Sequence, residues 1–226
     1  MKIADSRFKP TFELEGAELE LGRGPVAGID EAGRGPWAGP VVAAAVILDP
    51  ASIPPGIDDS KVIDEDGRDV LYRRILESGA RWSVGVADVE RIDRDNILSA
   101  TLWAMSEAVR NLSLAPRLAL IDGNKCPRLS CETRAIVKGD AKCLSIAAAS
   151  IIAKVTRDRM MIAFEKQFPG YGFARHKGYG TPEHKDSLAR LGVSPIHRRS
   201  FKPVQLALGL ASAPAEDPAT SSDLRS

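Results

Sequence analysis

Three cysteines and three histidines in 226 residues are too few to organise this chain. Cys126, Cys131 and Cys143 make an odd set with no Cys-X-X-Cys spacing, which excludes a disulfide framework and a zinc finger. No apolar run reaches the roughly 18 residues needed to cross a bilayer. The opening MKIADSRFKPTFELEGAELE has no long apolar stretch to act as a signal peptide, so a reduced, cytoplasmic setting is expected, with no membrane partner. Aromatics are 5% of the chain, and no phosphate-binding glycine loop of the P-loop kind is present. What remains is an ordinary globular composition, 44% hydrophobic and 27% charged. The net charge of +1 conceals an asymmetry. Residues 138–202 hold 13 basic and 5 acidic residues, against 18 and 25 in the remainder. A basic third beside an acidic remainder suits a polyanion-binding surface facing a carboxylate cluster.

The ends, residues 1–22 and 211–226, lack a clear period and are read as poorly ordered, leaving one domain over 23–210. Within it, Val26 to Asp30 and Val41 to Leu48 are short apolar runs joined by a glycine- and proline-rich turn, too short for a crossover helix, so an antiparallel ribbon is expected. Helices are predicted over 64–78, from Ile97 to Leu112, over 145–168, and from Thr181 to about Leu191, where Thr-Pro-Glu supplies an N-cap, a first-position proline and a first-turn acid. Further strands are expected at Trp82 to Val86, Arg117 to Asp122 and Thr133 to Val137. The alternation predicts an α/β domain with a mixed sheet and helices on both faces.

Carboxylates recur where such strands end. Asp30 and Glu31 close the first strand, Asp122 closes LALID, and Asp140 follows the strand after it. Neighbouring strand residues point to opposite faces, so Asp30 and Glu31 serve one site only if the strand ends or bends there. Taken singly, each is a polar strand end. Taken together, they form a cluster whose mutual repulsion calls for cations. All-oxygen ligands suit Mg²⁺ or Mn²⁺, and two such ions support hydrolysis of a phosphodiester. Asp158 is the rival for the fourth carboxylate, although its spacing from Lys154 equally fits an i, i+4 pair on a solvated face. His176, His184 and His197 are read as contacts to phosphate or solvent.

Gly28 to Pro36, Asp58 to Lys61, Asp122-Gly123, Lys138-Gly139-Asp140, Ser145 to Asp158 and His176 to Thr181 together closely resemble the bacterial ribonuclease HII family, six blocks in the right order over about residues 26–202. The resemblance implies an endonuclease of the ribonuclease H-like fold; a monomer is expected, although the residues themselves leave the oligomeric state open. Its substrates would be the RNA strand of RNA–DNA hybrids and duplex DNA containing single ribonucleotides, cut on the 5′ side to leave 3′-hydroxyl and 5′-phosphate ends. It further implies that Asp30, Glu31, Asp122 and Asp140 hold Mn²⁺ or Mg²⁺ for two-metal catalysis. Gly33, Arg34, Gly35 and Tyr179 would read the ribose 2′-OH, and Lys61 and Asn96 would contact phosphates. Cys143 departs from the serine expected in many relatives. Physically, glycines that admit close backbone approach and a phenol that donates and stacks suit 2′-OH recognition. Two other classes share parts of this pattern: a hybrid-binding module without cleavage, which does not need the acids, and a metal-dependent phosphohydrolase, which normally carries a phosphate loop.

Overall fold

The computed structural model describes residues 9–210. In chain order its elements are α1 (Glu13–Glu20), β1 (Val26–Ala32), β2 (Val41–Ile47), α2 (Glu65–Glu77), β3 (Arg81–Ala87), α3 (Val89–Asp95), α4 (Ile97–Arg110), β4 (Leu118–Asp122), β5 (Glu132–Ile136), α5 (Leu144–Gln167), α6 (Phe173–His176), α7 (Pro182–Leu191) and α8 (Lys202–Ala207). The strands form one mixed sheet in the order β3-β2-β1-β4-β5. As the short turn requires, β1 and β2 are antiparallel, whereas β4 and β5 continue the sheet in parallel with β1.

Burial follows position in the sheet. β2 lies inside the sheet and VVAAAVI is buried throughout, while the edge strand β5 holds only exposed and half-buried residues. One face of the sheet packs on α4 through Ile29, Ala43, Ala45 and Ile121, and the other packs on α5 and α2 through Ala44 and Val46. The alanines of α5, Ala147, Ala148, Ala149 and Ala153, are completely buried. They let its backbone lie so close to β1 that a Cβ on Gly28 would collide with the main chain at Ser145. This close crossing brings the start of α5 against β1 at Gly28. No helix among the described residues is long and apolar enough to cross a membrane.

Two expectations need correction. Residues 9–22 are not a poorly ordered end. They carry α1, whose Glu15 accepts hydrogen bonds from Ser145 N (2.7 Å) and Ser145 Oγ (2.6 Å) and so caps α5, which has no side-chain cap of its own. Glu18 of the same helix pairs with Arg134 at 2.8 Å. Because α1 is anchored through buried acids, it shows no hydrophobic period, and the folded unit begins before residue 23. The second correction concerns Asp158. It does pair with Lys154, at 2.7 Å, but on a buried face. The remainder of the expected disordered ends, residues 1–8 and 211–226, lies outside the described residues.

Candidate active site

The parallel register sets Ile29 of β1 against Ile121 of β4, so Asp30 and Asp122 stand side by side at neighbouring strand ends. Asp140 joins them from the short turn Gly139–Ala141 that leads into α5. That turn is entered through Lys138 in the left-handed conformation (φ 56°), and Gly139 N donates to Asp122 Oδ1 at 2.6 Å, tying the turn to β4. One oxygen from each of Asp30, Asp122 and Asp140 lies within 4.8 Å of the other two. Asp158 is not in this group.

Glu31 stands apart from that triangle. β1 continues to Ala32, and adjacent residues face opposite sides, so Asp30 lies on the α5 side and Glu31 on the α4 side. There Glu31 lines a small cavity of about 50 Å³ with Leu98, Thr101 and Met105, and Asp122 also reaches that cavity from the strand end. The acids therefore straddle the end of β1, with Asp122 common to both sides.

The electrostatics are unbalanced. Asp30 is 5% exposed; burial, then repulsion from Glu31, Asp122 and Asp140, push its carboxyl well above the usual aspartate range despite a 2.7 Å hydrogen bond from Glu31 N. Burial likewise raises Glu31, opposed by Arg34 at 3.3 Å. Asp122 is raised by burial and by Asp140, against the Gly139 hydrogen bond. Lys61 Nζ sits 2.6 Å from Asp140 Oδ2. Burial disfavours its charge, but the hydrogen bond and charge of Asp140, with Asp59 and Asp30 beyond, outweigh that and raise its pKa. Four acids facing two exposed cations form a donor set that fits a hard divalent cation: all oxygen, partly desolvated and short of positive charge.

The other named residues fall into two groups. Gly33, Arg34 and Gly35 follow β1 directly, and Tyr179, 47% exposed, comes to Gly35 so closely that a Cβ there would lie 3.8 Å from its Cε1. Lys61 is on the acids, as described. Asn96 has a structural role. At φ 67° between α3 and α4, its Oδ1 accepts from Leu98 N and Ser99 N, both at 3.0 Å, and caps α4.

The histidine expectation is overturned. His176, His184 and His197 are all buried and in mutual contact, His184 Nε2 lying 3.0 Å from His197 Nε2 and the rings of His176 and His184 stacked at 4.4 Å. Sequence reasoning also missed Arg157 and Arg198, each almost completely buried beneath the Gly33–Pro40 loop. For Arg157 a signal existed, since it continues the buried stripe Ser150, Ala153, Met161 of α5 at helical spacing. Arg198 lies in irregular chain, where no period marks burial.

Residues 27–204 match the family model described as Ribonuclease HII. Curated proteins named ribonuclease HII from Azorhizobium caulinodans and Rhizorhabdus wittichii are each 56% identical over 195 residues, 86% of this chain and 75% and 94% of theirs. Among solved structures, ribonuclease H2 from Pyrococcus horikoshii OT3 superposes with a TM-score of 0.70 at 28% identity, covering 80% of this chain and 96% of that one.

Proposed function

This chain belongs to the ribonuclease HII family, a family of ribonuclease H endonucleases, and we propose that it hydrolyses the RNA strand of RNA–DNA hybrids and cuts 5′ to single ribonucleotides embedded in duplex DNA. The products are a 3′-hydroxyl and a 5′-phosphate. The observation that carries this reading is the convergence of Asp30, Asp122 and Asp140 within 4.8 Å at the end of the strand that runs directly into the Gly33–Gly35 turn. Chemistry and recognition of the sugar would thereby lie next to each other.

Asp30, Glu31, Asp122 and Asp140 would hold Mg²⁺ or Mn²⁺, with Asp122 serving both sides of the strand. A pair of such ions supplies the positive charge that in-line displacement at phosphorus requires. The chain's own residues do the rest. Gly33 and Gly35 admit the ribose close to the backbone, Arg34 and the half-exposed Tyr179 face the same space, and the 2′-OH is bound without acting as nucleophile. Lys61, whose side chain is 74% exposed, neutralises Asp140 and is free to turn to a phosphate when cations take its place. Asn96 holds the start of α4 and offers its amide to the backbone of the duplex. The basic residues of 138–202 hold the phosphates, so affinity falls steeply with added salt. Three free thiols fit the cytoplasmic setting, and the enzyme is taken to act as a monomer.

The test is incubation with a duplex containing one ribonucleotide, with Mn²⁺ or Mg²⁺ and then with chelator. A single cut on the 5′ side, lost on chelation, is expected. Binding without cleavage would leave a recognition module instead. Such a module has no use for buried, mutually repelling carboxylates, and this favours the enzyme.

A further inference from the structure

The loop that follows β1 is held from beneath by two cations that form no ion pair among the described residues. Arg157 is 1% and Arg198 0% exposed, and burial pulls their pKa values down to about 10 and about 9. Burying an unpaired guanidinium is expensive, and an apolar side chain of similar size normally suits stability better. Here the compensation comes from backbone carbonyls. Arg157 donates to Pro40 O (3.0 Å), Ala38 O (3.1 Å) and Lys177 O (3.0 Å). Arg198 donates to Gly39 O (2.9 Å), Arg34 O (2.9 Å) and Gly33 O (2.5 Å). Gly33, at φ +99°, has no room for a side chain because the Arg157 guanidinium fills the space a Cβ would take.

These contacts join two loops. Arg157 reaches Lys177 O, Trp37 N donates to Gly178 O at 2.8 Å, and Arg198 N donates to Trp37 O at 2.8 Å. The Tyr179 side of the junction is fixed by the histidines. Ser194 N donates to His197 Nδ1 (2.9 Å), which leaves the His197 proton on Nε2, directed at His184 Nε2 (3.0 Å). His184 therefore carries its proton on Nδ1 and donates it to Tyr179 O (2.9 Å). Every donor in this chain has an acceptor, so the tautomers are set by the network itself.

We propose that Arg157, Arg198 and His184 are positioning residues that fix the spacing between the Gly33–Gly35 turn and Tyr179, and that this spacing sets how well the enzyme uses a lone ribonucleotide in DNA. The proposal rests on the functional reading above and deepens it. None of the three touches the substrate; they act through carbonyls of the loops that do.

The test compares Arg157→Lys and Arg198→Lys, which keep charge and most of the volume but lose the fork of donors, on a single-ribonucleotide duplex and on a uniform RNA–DNA hybrid of the same sequence. On the single-ribonucleotide duplex kcat is expected to fall about tenfold or more with KM little changed, and the uniform hybrid is expected to suffer less. In a Tyr179→Ala background the same substitutions are expected to lose most of that effect. Equal losses on both substrates and in both backgrounds, or no loss, overturn the proposal. Hydrogen exchange supplies a readout free of activity: amides of residues 33–40 and 177–180 should exchange faster in the lysine variants while β1 is unchanged, and unchanged loop exchange overturns the proposal too. Where the lysine variants fail to fold, His184→Leu, which removes the donor to Tyr179 O and keeps apolar bulk, is judged by the same outcomes. Wild-type protein that cuts neither substrate refutes the ribonuclease reading, and loop exchange then still decides the positioning claim.

Discussion

At the end of β1 two charged clusters adjoin, and they are balanced in opposite ways. Asp30, Glu31, Asp122 and Asp140 bring like charges together with only Arg34 and Lys61 in ion pairs with them among the described residues, and three of the four carboxyls are raised, by burial first and by mutual repulsion in addition. Arg157 and Arg198 are buried more deeply, yet each donates to three or more backbone carbonyls, Pro40 O being shared between them, and the histidines beside them form a closed hydrogen-bonded chain. The first region is short of positive charge as folded; the second is complete as folded and presents its geometry ready-made. A nuclease that, as proposed, binds metal at the first region and reads one hydroxyl group beside the second has use for both.

Substitutions that treat the two regions alike in chemistry should separate them in effect. The largest difference is expected from Asp30→Asn: cleavage falls about a hundredfold to a thousandfold, the scale of losing one charge-stabilising group at a reacting centre, while hybrid binding measured by gel shift persists. In the metal-free protein the same substitution should raise the melting temperature, because it removes a buried charge and the repulsion around it; a lower one would mean that the carboxylate is not disfavoured there. Tyr179→Ala should lower kcat/KM on the single-ribonucleotide duplex by about tenfold, the scale of one lost hydrogen bond, with little change in melting temperature for a side chain 47% exposed.

Acid should act on the two regions with opposite sign. Without divalent cations, the folded state binds a proton at Asp30 more tightly than the unfolded chain does, so the destabilisation is fully present above the raised pKa and is relieved as pH falls towards 3.8. His197, lowered to about 4 by burial and then by His184, resists protonation, so stability present above 6.5 is lost as pH falls from there towards 4. Melting curves in chelator from about pH 7 to pH 5 should therefore show the advantage of Asp30→Asn narrowing, and in the Asp30→Asn background a fall in stability from the buried histidines. An advantage and a background stability that both stay constant with pH would mean that neither cluster titrates as its burial demands. The smallest effect is expected outside both clusters, at the start of α5, where Glu15→Ala removes the cap and should cost about 1–2 kcal/mol in denaturant unfolding, without altering the preference between the two substrates.

The parts that were legible from the sequence are those where a local pattern and a global role coincide. β2 reads as a buried strand because every residue in VVAAAVI is small or apolar, and α7 announces its start through Thr181 and Pro182. Asp30, Asp122 and Asp140 stood out because apolar strands deliver them to one edge, and the parallel pairing of β1 with β4 aligns those ends. α1 escaped notice because it is held by Glu15 and Glu18, and buried acids leave no hydrophobic period. The histidines and the two arginines escaped for a related reason: polar residues, whether on helices like Arg157 and His184 or in irregular chain like Arg198, look solvated until their partners, up to 165 residues away, are known.

Sequence alone determined the alternation of strands and helices, the family blocks and the acids at strand ends, since these depend on side-chain period and on residues near one another in the chain. Only the tertiary structure decided that Glu31 faces away from Asp30, that Lys61 rests on Asp140, and that two buried guanidinium groups gather carbonyls from the Gly33–Pro40 loop and from Lys177. Each of those outcomes depends on which backbone groups are left without partners once the sheet and helices have packed, and that is a property of the folded whole.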